Sequence, residues 1–459
     1  MSRKIAICFG QFGPYMHARV VALQSVAGPA TTIVPVQIAA ETSTYGWQND
    51  GVAQCFGLHT LCEGTLERSS PLKVFFRSRQ VFRREKIDLA FLPSYWPASR
   101  LALFASAKSL RMSTVMMSDS HAGTARALGW KKAIKRMIVK KFDAALVAGQ
   151  PQQRYFASLG LPADKIFTGY DAIDNGYFAE RSASCCSDKS ERLRFAYSLP
   201  ERYFLSLGRM VEKKNLATLI EAYSFYAEHS ASAGNVPVAL VLVGSGDQTE
   251  MLGDQARHLN LGVIDHTDLA PDFRIECTCS NDPEPLRVRS RLQNKAGSTA
   301  GTVLFYGFRQ ISESPIFYSL AEAFVLPSIN EEWGLVVNEA MACSLPVIVS
   351  QNAGCAEDLV PLPKVPDGGR SLGDVDPNTD PTGLASRPNG FIFDPTSSAA
   401  LANALVAIAD LGSLATDRAS LDDDPLIAMG NHSRDIVAKF DCCNFARQAM
   451  RAAYAARGS

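Results

Sequence analysis

Short apolar runs alternate with helix-period patterns along the whole chain. In the first half the runs fall at Lys4–Gly10, Thr32–Ile38, Asp88–Ser94, Thr114–Ser118, Ala144–Gly149 and Lys165–Tyr170, with amphipathic stretches such as Pro71–Lys86 and Lys131–Phe142 between them. In the second half they fall at Tyr203–Gly208, Val238–Gly244, Val303–Gly307, Phe324–Ser328, Pro346–Ser350 and Phe391–Phe393. Strands that are apolar on both faces and separated by helices belong to parallel sheets covered on each side. Two such series in succession predict an α/β chain of two doubly wound, Rossmann-like domains. The polar stretch Arg181–Pro200 marks the expected joint, giving an N-terminal domain over 1–190 and a second over 200–430. A last helical pattern, Asn431–Ala456, follows the acidic Asp422–Asp424. Gly262–Thr302 and Leu362–Pro388 are rich in Pro, Gly, Asp, Ser and Arg, and both read as disordered insertions into the second domain.

Length and composition agree with this division. A chain of 459 residues is too long for one core, and 47% hydrophobic content is too apolar for disorder. No apolar run approaches the ~18–20 residues that cross a bilayer. The opening Met1–Gly10 reads as a strand entering a glycine turn rather than a signal peptide, so a cytoplasmic protein is expected. The zero net charge hides an asymmetry: residues 1–180 carry 22 Lys+Arg against 12 Asp+Glu, the remainder 24 against 34. Two domains with different partners follow, and the neutral total disfavours nucleic acid. Eleven cysteines, scattered and without paired C-x2-C knuckles, indicate reduced thiols rather than a zinc site.

The densest chemistry lies in Ala323–Cys343, which reads as strand, tight loop, then a helix beginning near Gly334. Glu331 falls in the loop and Glu339 about one turn inside the helix, so both are expected to face the crevice at the strand's carboxyl end. The first helical N–H groups, at Leu335 and Val336, would face the same space with the positive end of the helix dipole behind them, a diphosphate site. Carboxylates beside an anion site make sense as acceptors for sugar or ribose hydroxyls. The second cluster, Phe204–Asn215, repeats the strand–loop–helix pattern. Arg209 and Lys214 can reach one anion across its turn, a fork and a point charge together. Asn215 is the expected cap of the helix that follows.

These two clusters, in this order, resemble the signature of glycosyltransferase family 4, the group 1 glycosyl transferases, on the GT-B fold. The E-x7-E motif is met by Glu331 and Glu339, and the basic pair by Arg209 and Lys214. Phe305–Gln310, Pro346–Ser350 and Asn389–Pro395 extend the likeness, as do Lys141–Gly149 and Ile166–Asn175 in the first half. The resemblance implies a nucleotide-sugar donor held mainly by the second domain. Glu339 would bind ribose, Arg209 and Lys214 the diphosphate, and Glu331 the transferred sugar. Backbone around Phe308, Arg309 and Gln310 would bracket the base, and amides near Gly13 would close over the phosphate. It further implies transfer with retention, no metal or other cofactor, and a final helix, 431–459, crossing back to the first domain. The chain departs from the family pattern at Gly354-Cys355, where a glycine pair is usual, and in Gly10–Tyr15, which lacks adjacent glycines. Rival readings are a non-catalytic nucleotide-sugar-binding relative, and a GT-B sugar-nucleotide epimerase or phosphorylase.

Other candidates carry bland alternatives. His121, with Asp119 as a rival, matches a position where relatives often have a site histidine; a satisfied loop histidine is the alternative. His17 and Arg19 are acceptor contacts or a solvated face. Asp374-Val-Asp376 resembles a metal-binding D-x-D but has no strand-end context, and is rejected. Gly244-Ser-Gly246 is read as a turn rather than a dinucleotide signal. The basic helices Lys131–Phe142 and Arg77–Arg84 fit a glycan or lipid-linked acceptor and peripheral contact with an anionic membrane. The alternative is that Ile134, Ile138 and Phe142 pack on the sheet while the lysines face water.

Overall fold

The computed structural model describes residues 3–43, 57–124, 129–185, 189–269, 301–361, 389–416 and 424–458. The first domain contains β1 (Arg3–Phe9), α1 (Pro14–Ala27), β2 (Thr31–Glu41), β3 (His59–Thr65), α2 (Pro71–Glu85), β4 (Leu89–Pro93), α3 (Ala98–Ser109), β5 (Ser113–Ser118), α4 (Trp130–Val139), β6 (Ala144–Val147), α5 (Gln150–Ser158) and β7 (Ile166–Thr168). The chain continues through α6 (Asn175–Cys185), α7 (Ser190–Tyr197), β8 (Tyr203–Leu207), α8 (Leu216–Ser232), β9 (Ala239–Val243), α9 (Thr249–His258) and β10 (Gly262–Asp265). It is completed by β11 (Thr302–Phe305), α10 (Ser314–Ser319), β12 (Ala323–Leu326), α11 (Leu335–Ala342), β13 (Val347–Ser350), α12 (Ala356–Leu359), β14 (Gly390–Phe393), α13 (Ser398–Thr416), α14 (Pro425–Val437) and α15 (Cys442–Ala456).

The strands form two parallel sheets, ordered β3-β2-β1-β4-β5-β6-β7 and β10-β11-β9-β8-β12-β13-β14. In each sheet the strand order reverses beside the first strand, at β1/β4 and at β8/β12. Ligands of doubly wound sheets bind outside the carboxyl ends of the strands at such switch points. On the first sheet α2, α3, α4 and α5 cover one face, while α1 and α15 cover the other. On the second, α6, α7, α10 and α11 cover one face, and α8, α9 and α13 the other.

Several expectations need correction. The sequence showed twelve strands; β3 and β10 were missed, because both are edge strands with few buried positions. Gly262–Asp265 and Thr302 therefore belong to the sheet, not to an insertion, while 270–300 and 362–388 lie outside the described residues, as do Asp374 and Asp376. Arg181–Pro200 is not a structureless joint: α6 and α7 bury Phe178, Cys185, Leu193 and Tyr197 in the second domain's core. The chain crosses earlier, where Ala172 still packs in the first domain and Ile173 already packs in the second. The pattern read as one helix over 431–456 is two, α14 and α15, each started by an aspartate whose carboxylate caps backbone N–H groups, Asp424 and Asp441. α14 packs on the second domain and α15 on α1, so the return crossing lies between Val437 and Cys442, and a bridge from Ile173 to Asp441 ties the two crossings together. The α15 seam is Phe445 with Ala446, Ala449, Ala452, Ala453 and Ala456, small residues that let α1 approach closely. Burial of Phe445 alone contributes ~1.5–3 kcal/mol.

Candidate functional site

Loops after β8 and β12 bring the two sequence clusters together at the second switch point. The β8 loop is fixed by backbone: Gly208 N–H donates to Val243 and Met210 N–H to Ser245, at 2.9 Å each. Gly244 and Gly246 serve this contact, since a β-carbon on either would stand 1.8 and 2.1 Å from the Gly208 and Met210 carbonyl oxygens. That is the role of Gly244-Ser-Gly246, a close-packed turn. Gly208, Arg209, Met210, Lys214 and Pro327 line a small pocket at this edge. Asn215 stands at the start of α8 but does not cap it; it is left-handed, and its amide donates to the Pro327 and Pro395 carbonyls at 3.1 and 2.8 Å.

Glu331 is buried and its carboxylate pairs with the Lys214 ammonium, accepting also from Ser328 at 3.2 Å. Lys214, expected to hold a diphosphate, is thus paired with Glu331. α11 starts at Leu335 from a left-handed Gly334, and no side chain caps it, so Leu335 and Val336 present an uncapped helix start. Glu339 is not open to the crevice as expected. It is buried, with its two oxygens held by the hydroxyls of Tyr15, from the first domain, and Tyr318, the latter at 3.0 Å. Burial pushes its carboxyl up to about 7, against the pull of the two tyrosine hydrogen bonds. Gly13 stands at the N-terminus of α1, two residues before Tyr15.

The Cys355 side chain is buried in ordinary helical backbone, its Sγ 3.6 Å from where a β-carbon on Gly334 would stand. Gly354 is the position that demands glycine: a β-carbon there would stand 1.9 Å from the Glu332 carbonyl oxygen. Phe308 is exposed, while the Arg309 guanidinium turns inward and donates to the carbonyls of Leu269 and His266 at 2.8 and 3.1 Å.

The first domain meets this site along a seam. His121 is buried; its Nδ1 accepts from Gly123 N–H at 3.2 Å, so Nε2 carries the proton and donates to the Glu331 carbonyl at 2.9 Å. Gln152 donates to the Glu332 carbonyl, Arg154 pairs with Glu357, and Asp358 accepts from Gln150 N–H at 2.9 Å. Arg19 is neither an acceptor contact nor a solvated residue. It is buried, its Nε donates to the Ala172 carbonyl at 2.9 Å, and its guanidinium faces Asp171 at 3.4 Å and the rings of Tyr170 and Phe445. His17 is half-buried, and burial lowers its pKa. Asp119 is half-buried too; burial and Glu332 across the seam raise its pKa, while Arg100 and Arg19 oppose the rise. Sequence reasoning missed Tyr15, Tyr318, Trp333 and Asp358, whose parts depend on pairings across the fold that no local motif signals. Among the described residues no group of His, Cys, Asp or Glu is arranged to hold a metal ion, and no helix is long and apolar enough to cross a membrane.

The comparisons agree with the fold. The family model "Glycosyl transferases group 1" matches residues 287–361, the segment that holds Phe308, Glu331 and Glu339. The serotype-specific mannosyltransferase WbdA of Escherichia coli is 26% identical over 157 residues, 34% of this chain and only 14% of that protein. A glycosyltransferase structure from Rickettsia africae superposes with a TM-score of 0.64 at 14% identity, covering 100% of this chain and 99% of that one. Anabaena HepE, solved with UDP-glucose, gives 0.62 at 16% identity over 98% of this chain and 99% of the other. The matched segment and the relatives are those of group 1 glycosyl transferases, and the paired seven-stranded parallel sheets give this chain the GT-B fold.

Proposed function

We propose that the chain transfers a hexosyl unit from a nucleotide-sugar donor to a glycan, lipid-linked or small-molecule acceptor, in polysaccharide or glycoconjugate assembly. One observation carries this reading: Arg209, Lys214, Glu331 and the uncapped start of α11 converge at the switch point of the second sheet. A departing nucleoside diphosphate needs positive charge, and a guanidinium fork, an ammonium and a helix start supply it without a metal. Glu339 is the ribose-binding group. It already accepts from two hydroxyls, those of Tyr15 and Tyr318, which is the pattern a ribose diol offers. The UDP-glucose bound in HepE and the mannosyltransferase name of WbdA support a nucleotide-sugar donor.

Transfer proceeds with retention. The glycosidic C–O bond to the diphosphate breaks, the acceptor oxygen bonds the anomeric carbon from the same face, and the acceptor proton passes to the departing phosphate oxygen. No protein nucleophile is needed, and Glu331, tied to Lys214 and Ser328, suits the role of holding the sugar. His121, whose proton is engaged by the Glu331 carbonyl, positions that loop. Phe308–Gln310 backbone borders the base, and the Gly13 turn closes over the phosphate.

The test pairs binding with product analysis. Arg209→Ala and Lys214→Ala are expected to weaken nucleoside diphosphate binding roughly ten- to a hundredfold, and nucleoside binding little, since a hydrogen bond to a charged group contributes ~1.5–3 kcal/mol. Glu331→Gln should slow transfer and leave diphosphate affinity nearly unchanged, whereas Glu339→Gln should weaken both. Transfer should survive excess chelator. Equal loss of both ligands, or activity restored only by Mg2+ or Mn2+, would sink this reading.

A further inference from the structure

The loop that carries Glu331 is held from two sides. From its own domain, the Gly354 N–H donates to the Glu331 carbonyl at 3.0 Å, and a bridge pairs Glu331 with Ala353. From the first domain come two buried side chains, His121 on the Glu331 carbonyl and Gln152 on the Glu332 carbonyl, both at 2.9 Å. His121 has its place in the reading above; Gln152, in the first turn of α5, has none.

Gln152 is wholly buried, and a buried amide is costly unless both of its ends are bonded. Its Oε1 accepts from the Gly149 N–H at 3.1 Å, at the start of its own helix, and its Nε2 donates across the domain seam. The first bond caps α5 and could be made by an exposed side chain. The second requires the amide to lie between the domains, and Gly354 leaves the room: a β-carbon there would stand 2.5 Å from Nε2 and 1.9 Å from the Glu332 oxygen. One glycine thus serves both carbonyls, bonding that of Glu331 through its N–H and keeping the way to that of Glu332 open. The peptide planes after Glu331 and Glu332 are both set by first-domain donors, and the direction of the Glu331 side chain is set with them. Arg209, Lys214 and α11, proposed for the diphosphate, all belong to the second domain.

We propose that Gln152 is a positioning residue for the transferred sugar: its bond to the Glu332 carbonyl holds the Glu331 loop in register, so that the first domain sets where that carboxylate stands. The link to a sugar rests on the transferase reading; the clamp on the loop does not.

Kinetics and hydrogen exchange on the full chain separate the two. Turnover is read as nucleoside diphosphate released from UDP-glucose and from GDP-mannose, using whichever is faster. Gln152→Met should lower kcat roughly tenfold, since small misplacements at the reacting centre are felt in turnover, and leave affinity for the free nucleoside diphosphate within twofold. In the Glu331→Gln background the same change should cost less than twofold, because the clamp acts through that carboxylate. Gln152→Glu, which keeps the length and the Gly149 bond but loses the donor when ionised, should repeat the pattern if Gln152→Met folds poorly. The Gly354 amide, followed by exchange in peptides spanning 351–356, should exchange faster in either variant. A kcat within twofold of wild type, an equal loss in both backgrounds, or a parallel loss of nucleoside diphosphate affinity overturns the inference. If wild type turns over neither donor, the transferase reading loses its support and exchange alone decides: an unchanged Gly354 amide overturns the clamp, while a faster one leaves it standing without its sugar.

Discussion

At the scale of single residues, Glu339 ties the fold to pH. Its carboxyl rises from an ordinary 4.5 to about 7 through burial. Between those values the folded chain holds a proton that the unfolded chain has released, so this residue makes stability fall as pH rises through the window and level off above about 7. Glu339→Gln is neutral throughout. Wild type should therefore lose melting temperature relative to the variant from pH 5 to 7 and run parallel to it above; parallel courses across the whole range would mean the carboxyl is not buried as described. Gly354 shows a different constraint. The sequence marked Gly354-Cys355 as a departure from a glycine pair; Cys355 is buried, and the position that demands glycine is Gly354. Gly354→Ala has to move the Glu332 carbonyl and the Gln152 amide, and overpacking of this sort costs ~1–3 kcal/mol. A melting temperature within a degree of wild type would show that the loop yields freely.

At the scale of elements, the strand runs and the two strand–loop–helix clusters were legible because buried parallel strands are apolar throughout and their carboxyl-end loops carry the chemistry. The edge strands β3 and β10 were not, because β3 buries only two of its seven positions and β10 none of its four, where central strands such as β4 and β9 are buried throughout. The helices α6 and α7 were not either, because their buried faces are short: Phe178, Ser182 and Cys185, then Leu193 and Tyr197. The basic helix α4 falls between its two readings. Ile138 and Phe142 pack on the sheet as the bland reading held, with Val139 beside them, but Ile134, which that reading also placed there, is 42% exposed, and Trp130 and Met137 are 70% and 60% exposed. Leu72 and Phe76 on α2 are exposed as well. An apolar stripe edged by cations is the composition that lies in a membrane interface, each Lys or Arg adding about 1 kcal/mol on an anionic surface. Salt-sensitive binding to phosphatidylserine vesicles, absent with neutral vesicles and lost on reversing Lys131, Lys132, Lys135 and Lys140, is the expected result. Equal binding to both vesicle types, or to neither, would return the stripe to a solvated face.

At the scale of the whole molecule, what the sequence could not reveal is how the two domains satisfy each other. Tyr15 and Glu339 are 324 positions apart, and no periodicity links them. The first domain lends the Tyr15 hydroxyl to Glu339, the carboxylate proposed above for the donor's ribose. The nearby seam is held by His121 on the Glu331 carbonyl, Asp358 on the first turn of α5 and Trp333 packed against Gly149. On that proposal, donor entry would exchange the Tyr15 hydroxyl for a ribose hydroxyl on the same oxygen, and the free energy of the first bond would be subtracted from the second. Tyr15→Phe removes the competitor and keeps the ring and its packing. Nucleoside diphosphate should bind more tightly to this variant by up to about tenfold, the equivalent of one net hydrogen bond of ~1.4 kcal/mol, while a nucleotide-free melting temperature falls slightly. Glu339→Gln measured beside it fixes the interpretation, since the gain should vanish in the double variant if Tyr15 acts through that carboxylate. Affinity that is unchanged or weaker in Tyr15→Phe would mean that the hydroxyl stays in place over a bound donor, and that closing the domains assists donor binding instead of competing with it.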